Sequence, residues 1–323
     1  MSKLIYITRK IPESGINLLK EKGYTIDIGN SVEAPSKEDL IKVLSQKPYE
    51  GLVSFLTDKI DGEIFDVCPS LKIVAQFAVG FDNIDIKEAE KRGILVTNTP
   101  GCASLAVAEH AVALILSLTT RVAEGDKYMK EGKYTGWLPN LLIGTDLSGK
   151  IIGILGGGAI GQEVASMLHF GFKCPIIYSD IKENDFFKNN LSAKFVDKET
   201  LLKESDVVSL HVPLIPSTKH LINKEALNLM KKDSYLINTS RGPVVDEVAL
   251  VEALKSGIIR GAGLDVYEFE PNLTDGLREL SNVVLTPHIA SARESVRNKM
   301  SEIVGENIVD FFENGKVLNG VKN

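Results

Sequence analysis

The stretch from Lys150 to Gly161 reads Lys-Ile-Ile-Gly-Ile-Leu-Gly-Gly-Gly-Ala-Ile-Gly. A short apolar strand runs straight into Gly156-x-Gly158-x-x-Gly161, and a helical pattern follows at once. Asp180 closes the next apolar run, nineteen positions after the third glycine. The glycine spacing alone recurs in unrelated tight turns. With the strand before it, the helix after it and an acid at that distance, it becomes a dinucleotide-binding fingerprint. Gly156 permits the turn out of the strand. Gly158, without a Cβ, lets the backbone approach a pyrophosphate, and Gly161 lets the helix pack on the sheet. The helix starting near Ala159 and Ile160 offers unpaired N–H groups to the phosphates. A carboxylate at Asp180 would accept hydrogen bonds from both ribose hydroxyls and repel a 2′-phosphate, so the pattern points to NAD(H) rather than NADP(H). Lys182 is the nearby charge that works against this repulsion.

At 323 residues the chain has room for two domains. A net charge of −6 with no basic run argues against nucleic acid and anionic membranes as partners. Cys68, Cys102 and Cys174 are scattered, with neither metal-ligand spacing nor a disulfide framework, which points to a reducing cytoplasm. The apolar run Leu4 to Ile7 is too short for a signal peptide. The most apolar stretch, Ala103 to Thr119, is interrupted by Glu109 and His110 and is shorter than a bilayer requires. A helix apolar on nearly all sides belongs in a large core or a subunit interface. The interface is the expectation here, giving a homodimer through Ala103 to Thr119.

The first hundred residues alternate β-rich runs with amphipathic stretches. Strands are expected at Leu4 to Thr8, Tyr24 to Ile28, Gly51 to Ser54, Ile73 to Ala78 and Leu95 to Thr97. Helices are expected at Ser14 to Lys22, Lys37 to Leu44, Gly62 to Val67 and Ile86 to Lys91. A second series places strands at Ile151 to Leu155, Ile176 to Tyr178, Lys194 to Val196, Val207 to Leu210, Tyr235 to Asn238, Gly261 to Asp265 and Val283 to Leu285. A last amphipathic helix covers Ser291 to Asn314. Such alternation predicts an α/β fold with two doubly wound parallel sheets.

A nicotinamide enzyme that reduces a carbonyl must protonate the oxygen, and histidine suits that task near neutral pH. Of five histidines, His110 and His169 fall in helices and His220 in a polar turn. His211 and His288 follow apolar strands, at the carboxyl edge where doubly wound sheets place ligands. His288, stiffened by Pro287, is preferred to His211. A 2-oxo acid also needs its carboxylate held, and Arg241 follows a strand within Asn238-Thr239-Ser240-Arg241-Gly242-Pro243. The acid that would orient the histidine is Asp265, Glu268 or Glu270; spacing does not choose among them.

At these residues the chain resembles the D-isomer-specific 2-hydroxyacid dehydrogenase family. The motifs are Val79-Gly80-Phe81-Asp82-Asn83-Ile84-Asp85, Val107-Ala108-Glu109-His110, the glycine loop, His211-Val212-Pro213-Leu214 with Thr218, Asn238 to Gly242, Gly263-Leu264-Asp265-Val266 with Glu270-Pro271, and Pro287-His288-Ile289-Ala290-Ser291. The resemblance implies that Arg241, Glu270 and His288 are catalytic. It implies that Val79 and Gly80 give backbone N–H groups to the substrate, together with Arg241 and His288. Gly156, Gly158, Ala159, Ile160, Gly161, Asp180, Val212, Pro213, Thr218, Thr239, Ser240, Arg241, Asp265, His288 and Ala290 would line the cofactor site. It also implies a Rossmann NAD-binding domain, residues 99–289, inserted into a flavodoxin-like substrate domain of residues 1–98 and 290–323.

Within the family, Leu52 to Asp61 and Trp137 look most like glyoxylate/hydroxypyruvate reductases. Trp137 would close the site of a neighbouring subunit. Two features depart from that branch. Ala159 stands where an arginine is common, and Pro100 to Glu109 looks more like the D-lactate branch. The expected activity is NAD(H)-dependent reduction of a small 2-oxo acid, glyoxylate or hydroxypyruvate. D-3-phosphoglycerate dehydrogenase, D-lactate dehydrogenase and a dinucleotide-sensing corepressor are the alternatives.

Overall fold

Each strand of the first series lies on a parallel sheet. The computed structural model describes residues 2–321. Its first five strands are β1 (Leu4–Ile7), β2 (Thr25–Ile28), β3 (Gly51–Ser54), β4 (Ile73–Gln76) and β5 (Leu95–Thr97), in the order β2-β1-β3-β4-β5. The central strand β3 is buried at all four positions, as expected of a strand covered on both faces. Helix starts follow side-chain chemistry. Ser36, Asp61 and Asp85 accept hydrogen bonds from the backbone N–H groups of Asp39, Glu63 and Glu88, which are otherwise unpaired in a first turn.

The second series forms a seven-stranded parallel sheet: β6 (Ile152–Leu155), β7 (Ile176–Ser179), β8 (Lys194–Phe195), β9 (Val207–Leu210), β10 (Tyr235–Asn238), β11 (Gly261–Leu264) and β12 (Val283–Leu285). Their order is β12-β11-β10-β9-β6-β7-β8. The direction of winding reverses between β6 and β9, and an open α/β sheet receives ligands at the carboxyl side of that reversal. Two apolar layers flank this sheet. One is built around Leu236, Leu250 and Leu264, the other around Ile154, Ile237 and Leu168.

The chain divides into two compact units, Met1–Ala103 with Ala292–Asn323, and Ser104–Ser291. These breaks fall a few residues beyond the sequence-based ones at 98/99 and 289/290. Local hydrogen bonds account for the first shift. Thr99 N donates to Ala78 O at 2.9 Å and Asn307 Nδ2 to Asn98 O at 3.1 Å, so this stretch stays with the first sheet.

Two expectations need correction. The last helix spans Glu294–Val309 rather than starting at Ser291, and it widens into a π-turn over Asp310–Asn314. Some strand ends retract by one or two residues, as at β4, which stops at Gln76, while β7 runs one residue further, to Ser179. The apolar helix, observed at Ser104–Thr120, owes its character to its own unit. It packs on the helix Ala159–Phe172 and on β10, β11 and β12, and Ala108, Ala111, Leu114 and Ile115 are buried there. Leu105 on the same helix stays 55% exposed. No single helix among the described residues is long and apolar enough to cross a membrane.

Within the first unit the helices Glu13–Glu21 and Glu294–Val309 cross closely at Gly15. A Cβ there would lie 2.0 Å from Ser301 O. The Ser301 hydroxyl accepts from Gly15 N at 3.0 Å and donates to Pro12 O at 2.6 Å. Gly15→Ala should lower unfolding stability by about 1–3 kcal/mol, the usual cost of overpacking. Calorimetry would show the melting point fall. An unchanged melting point would contradict this crossing.

Candidate active site

The glycine loop follows β6 directly. Gly156 has φ +97°, and a Cβ on it would lie 2.6 Å from His211 O. A Cβ on Gly161 would lie 2.2 Å from Gly156 O. The protein's own packing therefore requires these two glycines. Gly158 differs, because a Cβ built there meets no atom within 4 Å. Nothing inside the chain demands glycine at that point, which is exposed at the N-cap of the 14-residue helix Ala159–Phe172. A ligand approaching from outside supplies the reason, and a helix N-terminus suits an anion. Ala159 and Ile160 form the first turn of that helix.

Asp180 lies just past β7. Its Oδ2 accepts from Gly157 N and its Oδ1 from Ile181 N, both at 2.6 Å. A carboxylate has about four lone-pair sites, so capacity remains for hydroxyl donors. The Gly157 carbonyl accepts from Gln162 Nε2 and Asn184 Nδ2 at 3.0 and 2.9 Å, which fixes the loop further.

Val212, Pro213 and Thr218 lie after β9, where the Thr218 hydroxyl donates to Pro213 O at 2.6 Å. Thr239, Ser240 and Arg241 lie after β10. Thr239 Oγ1 is buried without a hydrogen-bond partner, an orphaned polar atom on the ligand-facing edge. The open glycine loop and this orphan together fit a bound dinucleotide.

The three candidate acids separate by geometry. Asp265, just past β11, is fully buried and works as an anchor. It accepts from Thr286 Oγ1 at 2.6 Å, Ile289 N at 2.9 Å and Ala290 N at 2.8 Å. His110 Nε2 lies 2.9 Å from Thr286 Oγ1 and 3.4 Å from Asp265. Burial alone would raise the Asp265 pKa, but the donors from His110, Thr286, Ile289 and Ala290 outweigh it and hold it below the usual range. Glu268 pairs with His220, Oε1 to Nε2 at 2.6 Å. Glu270 pairs with His288, Oε2 to Nδ1 at 3.0 Å, while its Oε1 accepts from Tyr267 N at 2.9 Å.

His288 adopts φ +54°, a left-handed conformation uncommon for a side chain of this size. The Asp265 bonds to the two following residues hold it there, and strain of this kind gathers at functional sites. His211 follows a different chemistry. Its Nε2 lies 2.8 Å from Ser209 Oγ, and the protein packed around the ring pushes its pKa down to about 3. Near neutral pH its ring is uncharged and lacks the acidic imidazolium proton. Sequence reasoning missed the His110 to Asp265 clamp, because nothing in spacing links positions so far apart in the chain.

Val79 and Gly80 belong to the first unit, just past β4. Their carbonyl groups accept from Asn98 Nδ2 at 2.7 Å and Gln76 Nε2 at 3.3 Å. Trp137 is 82% exposed, in an irregular stretch that also exposes Tyr134 and Leu138.

A reversing parallel sheet with this loop and this histidine–carboxylate pair defines a nicotinamide-dependent oxidoreductase. A family model described as the NAD binding domain of D-isomer specific 2-hydroxyacid dehydrogenases matches residues 112–290, and the chain belongs to that family. It is therefore an oxidoreductase acting on CH–OH donors. It is 47% identical to a glyoxylate reductase of Korarchaeum cryptofilum over 96% of this chain and 93% of that protein. It is 46% identical to one from Thermococcus litoralis, over 96% and 94%. Among solved structures it is similar to an NADPH-dependent glyoxylate/hydroxypyruvate reductase of Sinorhizobium meliloti in complex with NADP and malonate. That match has a TM-score of 0.86 at 31% identity, covering 99% of this chain and 97% of that one.

The Asp265 clamp gives a test. Its pKa is lowered on folding, so its contribution to stability is complete above the unfolded value of about 4 and is lost as pH falls through the folded value. Asp265→Ala leaves buried donors unpaired, at about 1–3 kcal/mol for each group. Urea unfolding should show a large deficit at pH 7 that shrinks with acidification. Equal stability of variant and wild type at pH 7 would refute the clamp.

Proposed function

We propose that the protein reduces a small 2-oxo acid, glyoxylate or hydroxypyruvate, to the D-2-hydroxy acid with NADH. The observation that carries this is the pairing of His288 with Glu270 at the sheet edge that also presents Arg241 and the open glycine loop. The bound dinucleotide supplies hydride to the carbonyl carbon. Gly156, Gly158 and Gly161 with the first helical turn would hold its pyrophosphate, and Asp180 its ribose. Val212, Pro213, Thr218, Thr239, Ser240, Asp265 and Ala290 would line the remainder. Arg241 holds the substrate carboxylate with its planar fork. The N–H groups of Val79 and Gly80 are assigned to the same task.

Glu270 accepts from His288 Nδ1, which leaves the opposite nitrogen, Nε2, to deliver a proton to the carbonyl oxygen. The carboxylate also stabilises the charged ring before that transfer. His288→Ala should lower kcat by about 10²–10⁴-fold, the range of positioned acid catalysis, with little change in NADH affinity. His211→Asn should act mainly on NADH binding. Near-normal turnover in His288→Ala would move the proton donor elsewhere.

The substrate assignment draws on the glyoxylate reductases among the relatives and on the apolar Phe55 and Leu56 that precede the Val79 loop. Glyoxylate and hydroxypyruvate should exceed pyruvate, and pyruvate should exceed phenylpyruvate, 2-oxoisocaproate and 3-phosphohydroxypyruvate, in kcat/KM. Each methylene shifts this by only ~1–3 kcal/mol. The same assay should favour NADH over NADPH, since a carboxylate at Asp180 repels a second phosphate charge. A preference for phenylpyruvate would overturn the substrate, and equal use of NADPH the cofactor. Failure to oxidise NADH with any 2-oxo acid would favour a dinucleotide-sensing role. Homodimer formation is proposed through the Ala103 to Thr119 helix, with Trp137 reaching towards the neighbouring subunit.

A further inference from the structure

A second imidazole–carboxylate pair joins His220 to Glu268, two residues before Glu270 in the chain. Its bonds run to both loops that carry the proposed machinery. The His220 backbone N–H donates to Pro243 O at 2.8 Å, and Ile222 N donates to Val244 O at 3.1 Å. These bonds fasten the loop after β9 to the turn that follows Arg241. The His220 ring meets Glu268 Oε1 at 2.6 Å, and Glu268 Oε2 accepts from Glu247 N at 3.2 Å. Glu268 lies one residue past Tyr267, whose N–H holds the Glu270 carboxylate.

The two loops also press on each other. A Cβ on Gly242 would lie 1.9 Å from Tyr267 C and O and 2.4 Å from Glu268 N. The Arg241 turn therefore rests on the peptide group that leads to Glu270. Contact alone does not fix a separation, because nothing in it resists sliding or parting. The His220–Glu268 pair supplies that restraint from a third loop, with the Glu268 side chain only 10% exposed. His220 holds φ +50°, a backbone region uncommon for residues other than glycine, while it meets both partners.

We propose that His220 and Glu268 are positioning residues that set the spacing between Arg241 and the Glu270–His288 pair. This rests on the roles assigned to those three residues above. A 2-oxo acid must meet the guanidinium with its carboxylate and the imidazole with its carbonyl oxygen in one pose. A small error in that spacing costs rate as well as affinity.

The test compares wild type, His220→Ala and His220→Gln in the NADH-loaded enzyme. His220→Ala should raise KM for glyoxylate at least tenfold and lower kcat several-fold, with the NADH Kd within twofold of wild type. His220→Gln, whose amide can still donate to Glu268, should recover most of both. Hydrogen exchange gives a readout independent of turnover. The N–H groups of Tyr267 and Val244 should exchange at least tenfold faster in His220→Ala, with Gly157 N–H unchanged. Kinetic constants within twofold of wild type, or faster exchange spread evenly over the unit, would overturn the proposal. A wild type inactive towards every 2-oxo acid would refute the functional reading alone. The exchange rates would then decide whether the pair couples the two loops.

Discussion

A parallel sheet delivers every strand to the same edge at its carboxyl end. In the second unit this constraint decides where chemistry can gather. The glycine loop follows β6, Asp180 follows β7, Arg241 follows β10, Asp265 and Glu270 follow β11, and His288 follows β12. Apart from Asp265 and Glu270, which share one loop, these residues lie far apart in sequence. The reversal of winding between β6 and β9 parts the helices there, so that edge is open at the glycine loop and the N-terminus of the helix Ala159–Phe172.

Placement at an edge is not yet a geometry. Loops are held to working precision by buried polar groups with little freedom to move. Asp265 is the main one. Its carboxylate is out of water and is compensated by donors from the next loop along the sheet. Removing such donors leaves costly unpaired groups, so the loop has few alternative conformations. His288 is thereby kept in a backbone conformation it would otherwise avoid. Glu270 is fixed on one oxygen by a backbone amide and meets the imidazole with the other. The fold supplies rough proximity, and buried hydrogen bonds supply the rest.

Much of this was legible in the sequence, because period and punctuation are local signals. Strands β3, β5, β9, β10 and β12 sit where their apolar runs end, and Asp85 and Ser36 cap helices as their residue types suggest. The edge positions of His211 and His288 could also be read from the strands before them. The lowered pKa of His211 was not legible, since it comes from surrounding atoms contributed by distant segments. The same holds for the three acids. Asp265, Glu268 and Glu270 lie within six residues, yet each is committed to a different partner: a backbone loop, His220 and His288. The apolar helix Ser104–Thr120 shows the converse limit. Its composition announces burial but cannot say whether the covering surface belongs to the same chain.

The close helix crossing at Gly15 and Ser301 bears on how the chain is made. The second unit is contiguous, Ser104–Ser291, while the first needs Ala292–Asn323 to cover its sheet. On the ribosome, the later-encoded unit therefore has all its residues before the earlier one does. Until the last helix emerges, Ile16 and Leu19 lack the Val304 and Ile308 side chains of their apolar cluster. The usual order of synthesis, in which the amino-terminal domain folds first, is inverted. A chain cut short by some thirty residues would retain a complete dinucleotide-binding unit attached to a half-built neighbour with an exposed apolar face.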